Sequence, residues 1–544
     1  MSTDSEKLIE IWLDSASERE YQFGFRSALI FAGYKVLHNT SHTALELGKD
    51  VIAIDPSGSV IAYQLKGNPS GRLTISQWHA LIPQINALVY QPLIHPNIKP
   101  GTQYQPFLVT NGEVHEDVLA AIVGYNAEIL NSGRKVLPLQ TMARGELLSF
   151  VLRHSKKIWP VDLGAQRRIL NLMAANGEDA LPDEEFSHLI EQLLGLDAAE
   201  TKFKMERVAA AHLVTSLLAA NWQKHENYFE VIKMFTLLYV KIASYVSRTN
   251  TKNRQVNAFL SEIEFSITRA ISEFLEWVEK EYDEKPLLNG DIFSEFSYFH
   301  IRKRMLMGLF SVLVLDERVE IKETTYEYLW NFICKNKSKG FLSGEFIIPY
   351  CLAVFWAQSK IQGSQKPDYE LAYTLRALLD NNGQEDIEAH IPGPYYNIVE
   401  SVEWHYSSFI GVLNRDLEED NHYERGWFTR AIFYLLVRRN MKCTCQLLWY
   451  RLTKFLHTEI FLESDWEFGL YRSERARQQD IQLRVPQSWA DVVETAEKNT
   501  VPKIPEVMMD KPVLVLLYCL FVPYRMNYDV VMWLDRKLSR SSWY

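Results

Sequence analysis

The feature that most constrains this chain is a change of hydrophobic period near residue 155. Ahead of it, apolar residues switch repeatedly between alternation and helical spacing, as they do where strands and helices share one core. Beyond it, the spacing is helical almost throughout. A chain of 544 residues is too long for a single core, so the switch reads as a domain boundary. The expected architecture is an α/β N-terminal domain over 1–154, followed by a large all-α region. That region divides into helical domains over 155–365 and 366–544, which are continuous if the loops near 365–395 are not a break.

The front part can be read element by element. Glu18 to Ala32 has helical spacing and Gly33 sits where a C-terminal cap belongs. Tyr34–Leu37, Asp50–Ile54 and Val60–Leu65 are short apolar strands, the last two joined by Asp55-Pro56-Ser57-Gly58. Proline fixes φ there and glycine accepts a positive φ, so the pair reads as an antiparallel hairpin. Thr74 or Ser76 caps a helix to Tyr90, which Pro83 is expected to bend or shorten. Phe107–Thr110 is a buried-type strand closed by Asn111-Gly112, Val114–Leu130 an amphipathic helix, and Val136–Leu139 a last strand. The order is α-β-β-β-α-β-α-β, a sheet with helices on its faces.

In the second part, Pro182-Asp183-Glu184-Glu185 puts proline and acids where a helix start favours them. Helices are expected over roughly 199–221, 226–247, 254–282, 296–315, 322–336 and 344–360, then 368–380, 395–413, 426–440, 442–459, 487–498 and 511–535. No period of 30 to 50 residues recurs, so the array is irregular.

Bulk properties narrow the function classes. Five cysteines, all in the second half, make no disulfide framework, and a reducing cytoplasm is expected. Cys443-Thr444-Cys445 has the wrong spacing for a zinc knuckle and reads as two thiols within a buried helix. The N-terminal MSTDSEKLIEIW lacks the basic and apolar regions of a signal peptide. The longest apolar run, Val513–Val522, is about half of the ~20 residues a membrane span needs, so no membrane partner is expected. A net charge of −10 argues against gripping nucleic acid by bulk charge; any such site must be a local basic patch. P-loop, dinucleotide-fingerprint, HExxH and GxSxG motifs are absent.

The hairpin carries the chemistry. Alternate side chains of a strand share a face, so Gln64 and Lys66 point one way while Leu65 points into the core. Pairing across the Pro56–Gly58 turn brings Asp50 to the same end of the sheet. Taken singly, Asp50 is a turn-flanking acid and Gln64 and Lys66 a solvated strand face; only the set points elsewhere. A carboxylate, an amide oxygen and an ammonium are what phosphodiester hydrolysis with a hard cation requires. Asp50, the Gln64 amide oxygen and the Leu65 backbone carbonyl are the expected ligands of Mg²⁺ (or Mn²⁺), with Lys66 orienting water or countering charge. Glu20, or else Glu18, on the first helix is expected to complete the catalytic and metal set, and Glu46 is a rival acid.

This arrangement resembles the PD-(D/E)XK nuclease superfamily and, more narrowly, its restriction-endonuclease-like, Mrr-type branch, in which glutamine often replaces the second acid. The resemblance rests on Gly33-Tyr34, Gly48-Lys49-Asp50, Tyr63-Gln64-Leu65-Lys66-Gly67 and Leu108-Val109-Thr110-Asn111, and covers about the first 150 residues. It implies a three-layer α/β/α fold and metal-dependent endonucleolytic cleavage of DNA in restriction or antiphage defence. RNA is the alternative substrate, and an inactive nuclease-fold interaction protein the alternative function. The helical region is then expected to regulate the nuclease or assemble it as a homo-oligomer or with a partner protein. Lys49 and Arg72 flank the hairpin and are the expected phosphate contacts, with His79 a weaker candidate. Trp78 reads as core, and the basic runs at Arg302–Arg304, Arg438-Arg439 and Arg472, Arg475, Arg477 read as solvated faces.

Overall fold

The computed structural model describes residues 4–16, 18–39, 49–69, 71–93, 98–131, 136–155, 163–198, 201–252, 254–284, 308–316, 348–362, 366–381, 427–454, 457–470 and 478–539. Glu46, Gly48, Arg302–Arg304, Arg472, Arg475, Arg477 and the expected helices 322–336 and 395–413 lie outside the described residues. The chain forms two compact units, 1–270 and 271–544.

The first unit opens with α1 (Asp4–Ser15), which sequence reasoning did not anticipate, and α2 (Glu18–Phe31). Gly33 follows α2 at φ +88°, as a C-terminal cap requires. Strands β1 (Lys35–Asn39), β2 (Val51–Ile54) and β3 (Val60–Lys66) come next. They are followed by the short β4 (Arg72–Leu73), α3 (Ile75–Tyr90), β5 (Tyr104–Thr110) and the short β6 (Glu113–Val114). The domain closes with α4 (Glu116–Asn131), β7 (Gln140–Met142) and α5 (Arg144–Ser155). The last strand thus lies at 140–142 rather than 136–139. Five strands form one mixed sheet in the order β1-β2-β3-β5-β7, antiparallel from β1 to β3 and parallel from β3 to β7.

Strand periodicity sorts the side chains. Ile52, Val60, Ala62 and Leu108 pack with Trp78, Leu81 and Ile85 of α3 and Val118, Ile122 and Ile129 of α4. On the other face, Tyr63 meets Phe25 of α2 edge-on at 5.2 Å, and Phe25 meets Phe150 of α5 at 6.0 Å. The sheet is therefore a middle layer between two layers of helices. Thr74 caps α3 in a reciprocal capping box with Gln77, and the helix runs through Pro83 to Tyr90 instead of ending there. The β2–β3 turn is fixed by Asp55, whose carboxylate accepts from Ser57 Oγ at 2.6 Å and Ser59 N at 2.8 Å, with Gly58 at φ +91°.

Among the described residues five helices follow: α6 (Leu163–Met173), α7 (Asp183–Leu194), α8 (Met205–Lys224), α9 (Tyr228–Arg248) and α10 (Arg254–Glu284), the last reaching past residue 270. Lys233 bonds Asp183 at 2.8 Å and Lys241 bonds Glu191 at 2.5 Å. These two rungs are eight residues apart in both helices, so α7 and α9 run in the same direction.

The described part of the second unit is helical at 308–315 (α11), then forms α12 (Ile348–Gln362), α13 (Lys366–Asn381), α14 (Trp427–Arg438) and α15 (Lys442–Leu452). This region is not all-α. The helix expected over 442–459 stops at Leu452, and β8 (His457–Leu462) pairs antiparallel with β9 (Gln478–Leu483). Leu462 is buried while Phe461 is 42% exposed, the alternation of a strand, and β-branched Thr458 and Ile460 favour it. Among the described residues three helices follow: α16 (Trp489–Glu497), α17 (Pro512–Phe521) and α18 (Tyr528–Leu538). Pro523 separates the last two, where one helix was expected. Among the described residues no helix is long and apolar enough to cross a membrane.

Candidate functional site

The pairing of β2 with β3 stops at Val51↔Tyr63, whereas β3 continues to Lys66. Beyond that point the Asp50 carboxylate takes over: its Oδ2 accepts from Leu65 N at 2.6 Å and from Gln64 Nε2 at 2.5 Å. In an extended strand a residue's C=O points to the same side as its own N–H. The Leu65 carbonyl therefore faces the Asp50 edge. Gln64 is only 4% exposed, which overturns its reading as part of a solvated face. Its Oε1 is buried with no hydrogen-bond partner among the described residues.

Lys66 ends the strand and is 20% exposed. Its Nζ lies 3.4 Å from Glu18 Oε2, which also accepts from Gly67 N at 3.3 Å. Glycine is required at 67 because a Cβ there would stand 2.6 Å from the Glu18 backbone nitrogen. The first turn of α2 thus rests directly on the end of β3. Below it, the buried Tyr21 hydroxyl accepts from Lys66 N at 3.0 Å and lies 3.2 Å from the carbonyl oxygens of both Lys66 and Val109. Burial pushes the Tyr21 hydroxyl well above the ordinary tyrosine range, and the Glu18 and Asp50 carboxylates add to this against the Lys66 backbone hydrogen bond. Two acids thus act on one hydroxyl.

Asn111 secures the surroundings. Fully buried, it donates through Nδ2 to Leu13 O at 2.8 Å and Ala16 O at 2.7 Å, and accepts from Asn68 N at 2.8 Å. One amide ties the α1–α2 junction to the ends of β3 and β5. Sequence reasoning treated Asn111-Gly112 as a turn; the signal missed was a polar residue closing an otherwise apolar strand.

Asp50 therefore meets Gln64 and the Leu65 backbone, while Lys66, the next residue of the strand, has its amine against Glu18. The side chain of Glu20 lies outside the described residues, and the acid found beside Lys66 is Glu18. The expectation that Lys49 contacts phosphate is corrected. Its side chain is 2% exposed and donates to Ala87 O at 3.1 Å, with Nζ 5.6 Å from the Tyr104 ring centroid. Burial lowers its ammonium to about 8. Arg72 is exposed on β4, as is His79 on α3. Trp78 is core, edge-on to Tyr125 at 6.1 Å.

The residues fit a hard divalent cation in kind: a carboxylate, a backbone carbonyl, and an amide oxygen that is buried without a partner. So few protein donors suit an ion that keeps several of its waters, as magnesium does. Among the described residues no group of three or more His, Cys, Asp or Glu side chains is placed to hold a metal ion, at this site or elsewhere. In comparisons with known proteins, no family model, no curated protein and no solved structure matches this chain.

Proposed function

We propose that this chain is a Mg²⁺- or Mn²⁺-dependent endonuclease with a PD-(D/E)XK-like N-terminal domain that acts on DNA. The observation that carries the reading is the convergence at one end of β3. Asp50 bonds Gln64, whose Oε1 lacks a partner, and the partly exposed Lys66 lies two residues on. Asp50, the Gln64 amide oxygen and the Leu65 carbonyl would hold the cation. When bound, it acidifies water and offsets charge on the phosphate. Gln64 Nε2 faces Asp50 here; turning the amide over would present Oε1 as a neutral ligand to a cation held by Asp50. Lys66 supplies the positive charge that orients water or stabilises the phosphoryl oxygens, and Glu18 at 3.4 Å orients the ammonium. Arg72, exposed on β4, would contact the strand backbone.

A plasmid-nicking assay on the full chain tests this. Cleavage is expected with Mg²⁺, none with EDTA, and cleavage slowed about 10²–10³-fold with Lys66→Ala. Equal cutting by wild type and Lys66→Ala would overturn the proposal. A structured RNA in the same assay decides between the two polymers.

One observation favours a second reading, an inactive nuclease fold that binds a partner. Asp50 Oδ2 already takes two internal donors and Lys66 already has an acid beside it. That reading expects no metal-dependent cleavage and salt-sensitive nucleic-acid binding indifferent to Asp50→Ala.

A further inference from the structure

The helix α2 does two things on two faces. Towards the sheet, Glu18 and Tyr21 touch the end of β3. Towards the later helices, Gln22 Oε1 accepts from Arg269 Nη1 at 2.9 Å, and the fully buried Arg26 pairs with Glu262 at 2.5 Å. The Arg26 guanidinium also lies 5.0 Å from the centre of the Phe265 ring. Sliding or rolling α2 would part a buried ion pair, so the helix is a fixed support for whatever its other face holds.

What that face holds is the backbone of Lys66. A lysine at the last residue of a strand has four flexible side-chain bonds, and only its backbone can be fixed tightly. The Tyr21 hydroxyl engages the Lys66 N–H and lies against the Lys66 and Val109 carbonyls, linking β3 to β5 where the Lys66↔Thr110 register ends. We propose that Tyr21 is the positioning residue for Lys66, fixing the end of β3 where Gln64 and Leu65 bond Asp50 and the Lys66 ammonium lies 3.4 Å from Glu18. This rests on the nuclease reading. Phenylalanine at 21 keeps the buried ring and removes the oxygen alone, leaving the Lys66 N–H to find another acceptor.

The test is a double-mutant cycle in plasmid nicking by the full chain with Mg²⁺, using wild type, Tyr21→Phe, Lys66→Ala and the double variant. Tyr21→Phe is expected to lower kcat about 10-fold with KM for plasmid unchanged, the signature of misplacement rather than weakened binding. The double variant is expected to be no slower than Lys66→Ala alone, because a residue acting through Lys66 has nothing to add once the amine is gone. Wild-type kcat for Tyr21→Phe overturns the proposal. So does a double variant slower than Lys66→Ala by the full Tyr21→Phe factor, which would mark a general structural effect. Should Tyr21→Phe not fold by near-UV circular dichroism, Gln22→Leu loosens the same helix from its other face. It takes the place in the cycle with the same non-additive pattern expected. Lys66→Ala cutting like wild type sinks the nuclease reading itself and is distinguishable from both outcomes.

Discussion

Each compact unit buries a cluster of polar side chains, and the two clusters close differently. In the second unit Arg439 donates to Asp535 Oδ1 through Nη2 at 2.6 Å and to Asp368 Oδ1 through Nη1 at 3.0 Å, with its guanidinium 4.5 Å from the Phe355 ring centre. Asp535 also accepts from Trp356 Nε1 at 3.1 Å and Ser539 Oγ at 3.0 Å. Burial raises Asp368 from the ordinary carboxylate range in spite of the arginine beside it. Every charge there meets its opposite inside the protein. At the end of β3 the matching is incomplete: Gln64 Oε1 is left over, and Lys66 and Glu18 remain 20% and 33% exposed. Under the proposed function, that spare acceptor beside reachable charge is where a cation would bind.

The strongest way to break this contrast is to remove the central cation of each cluster. Lys66→Ala is expected to lower cleavage by about 10²–10³-fold, as loss of one group that stabilises transition-state charge does. Its unfolding free energy should change by under about 1 kcal/mol, because a partly exposed ion pair contributes little. Arg439→Met reverses the pattern: about 3–5 kcal/mol is lost because two buried aspartates lose their partner, while cleavage per folded molecule stays unchanged. Urea unfolding and plasmid nicking, run on both variants, check this. A stable but inactive Arg439→Met would erase the distinction between the clusters.

A smaller effect sharpens the same contrast within the first unit. A Cβ at Gly67 would meet the Glu18 backbone at 2.6 Å, whereas one at Gly124 on α4 meets nothing within 4 Å. Gly67→Ala is expected to cost about 1–3 kcal/mol and to slow cleavage, since α2 must back away from Lys66. Gly124→Ala should instead stabilise by up to about 1 kcal/mol through helix propensity, with cleavage untouched. Equal midpoints for the two variants would mean that α2 does not press on the strand end.

These residues also show what sequence can and cannot disclose. The hairpin was legible because Asp55-Pro56-Ser57-Gly58 is a local turn, and strand parity then placed Gln64 and Lys66 on one face and Leu65 in the core. Tyr21 was not legible, because its hydroxyl reaches partners 45 and 88 residues away and no local pattern marks that approach. Glu18 and Glu20 could not be ranked for the same reason: the choice depends on which helical turn Gly67 lets the strand approach. In the second unit a six-residue strand, His457–Leu462, follows α15 after a short gap, and its alternation is too brief to stand out from the helical pattern before it. Lys49 reads as a phosphate contact because it adjoins Asp50; its burial is a tertiary fact that its sequence neighbours do not mark.

Lys49 supplies the gentlest test, a buried cation resting on a backbone carbonyl and an aromatic ring. The folded chain holds its ammonium at about 8, against 10.5 for an ordinary lysine. Between those pH values the unfolded chain binds the extra proton, so stability climbs as pH rises through the window. Below about 8 both states are protonated and the cost of burying the charge is constant. Lys49→Met removes that charge, and Ala87 O keeps its bond from Gln91 N at 3.2 Å. The variant is expected to be more stable than wild type by about 1 kcal/mol at pH 7. The advantage should persist at lower pH and shrink towards zero as pH approaches that of free lysine. Thermal unfolding at one-unit steps from pH 6 to 10 reads this directly. DNA affinity and its salt slope should be unmoved; a slope shallower by about one would return Lys49 to the phosphate contacts and place it on the open side of the comparison.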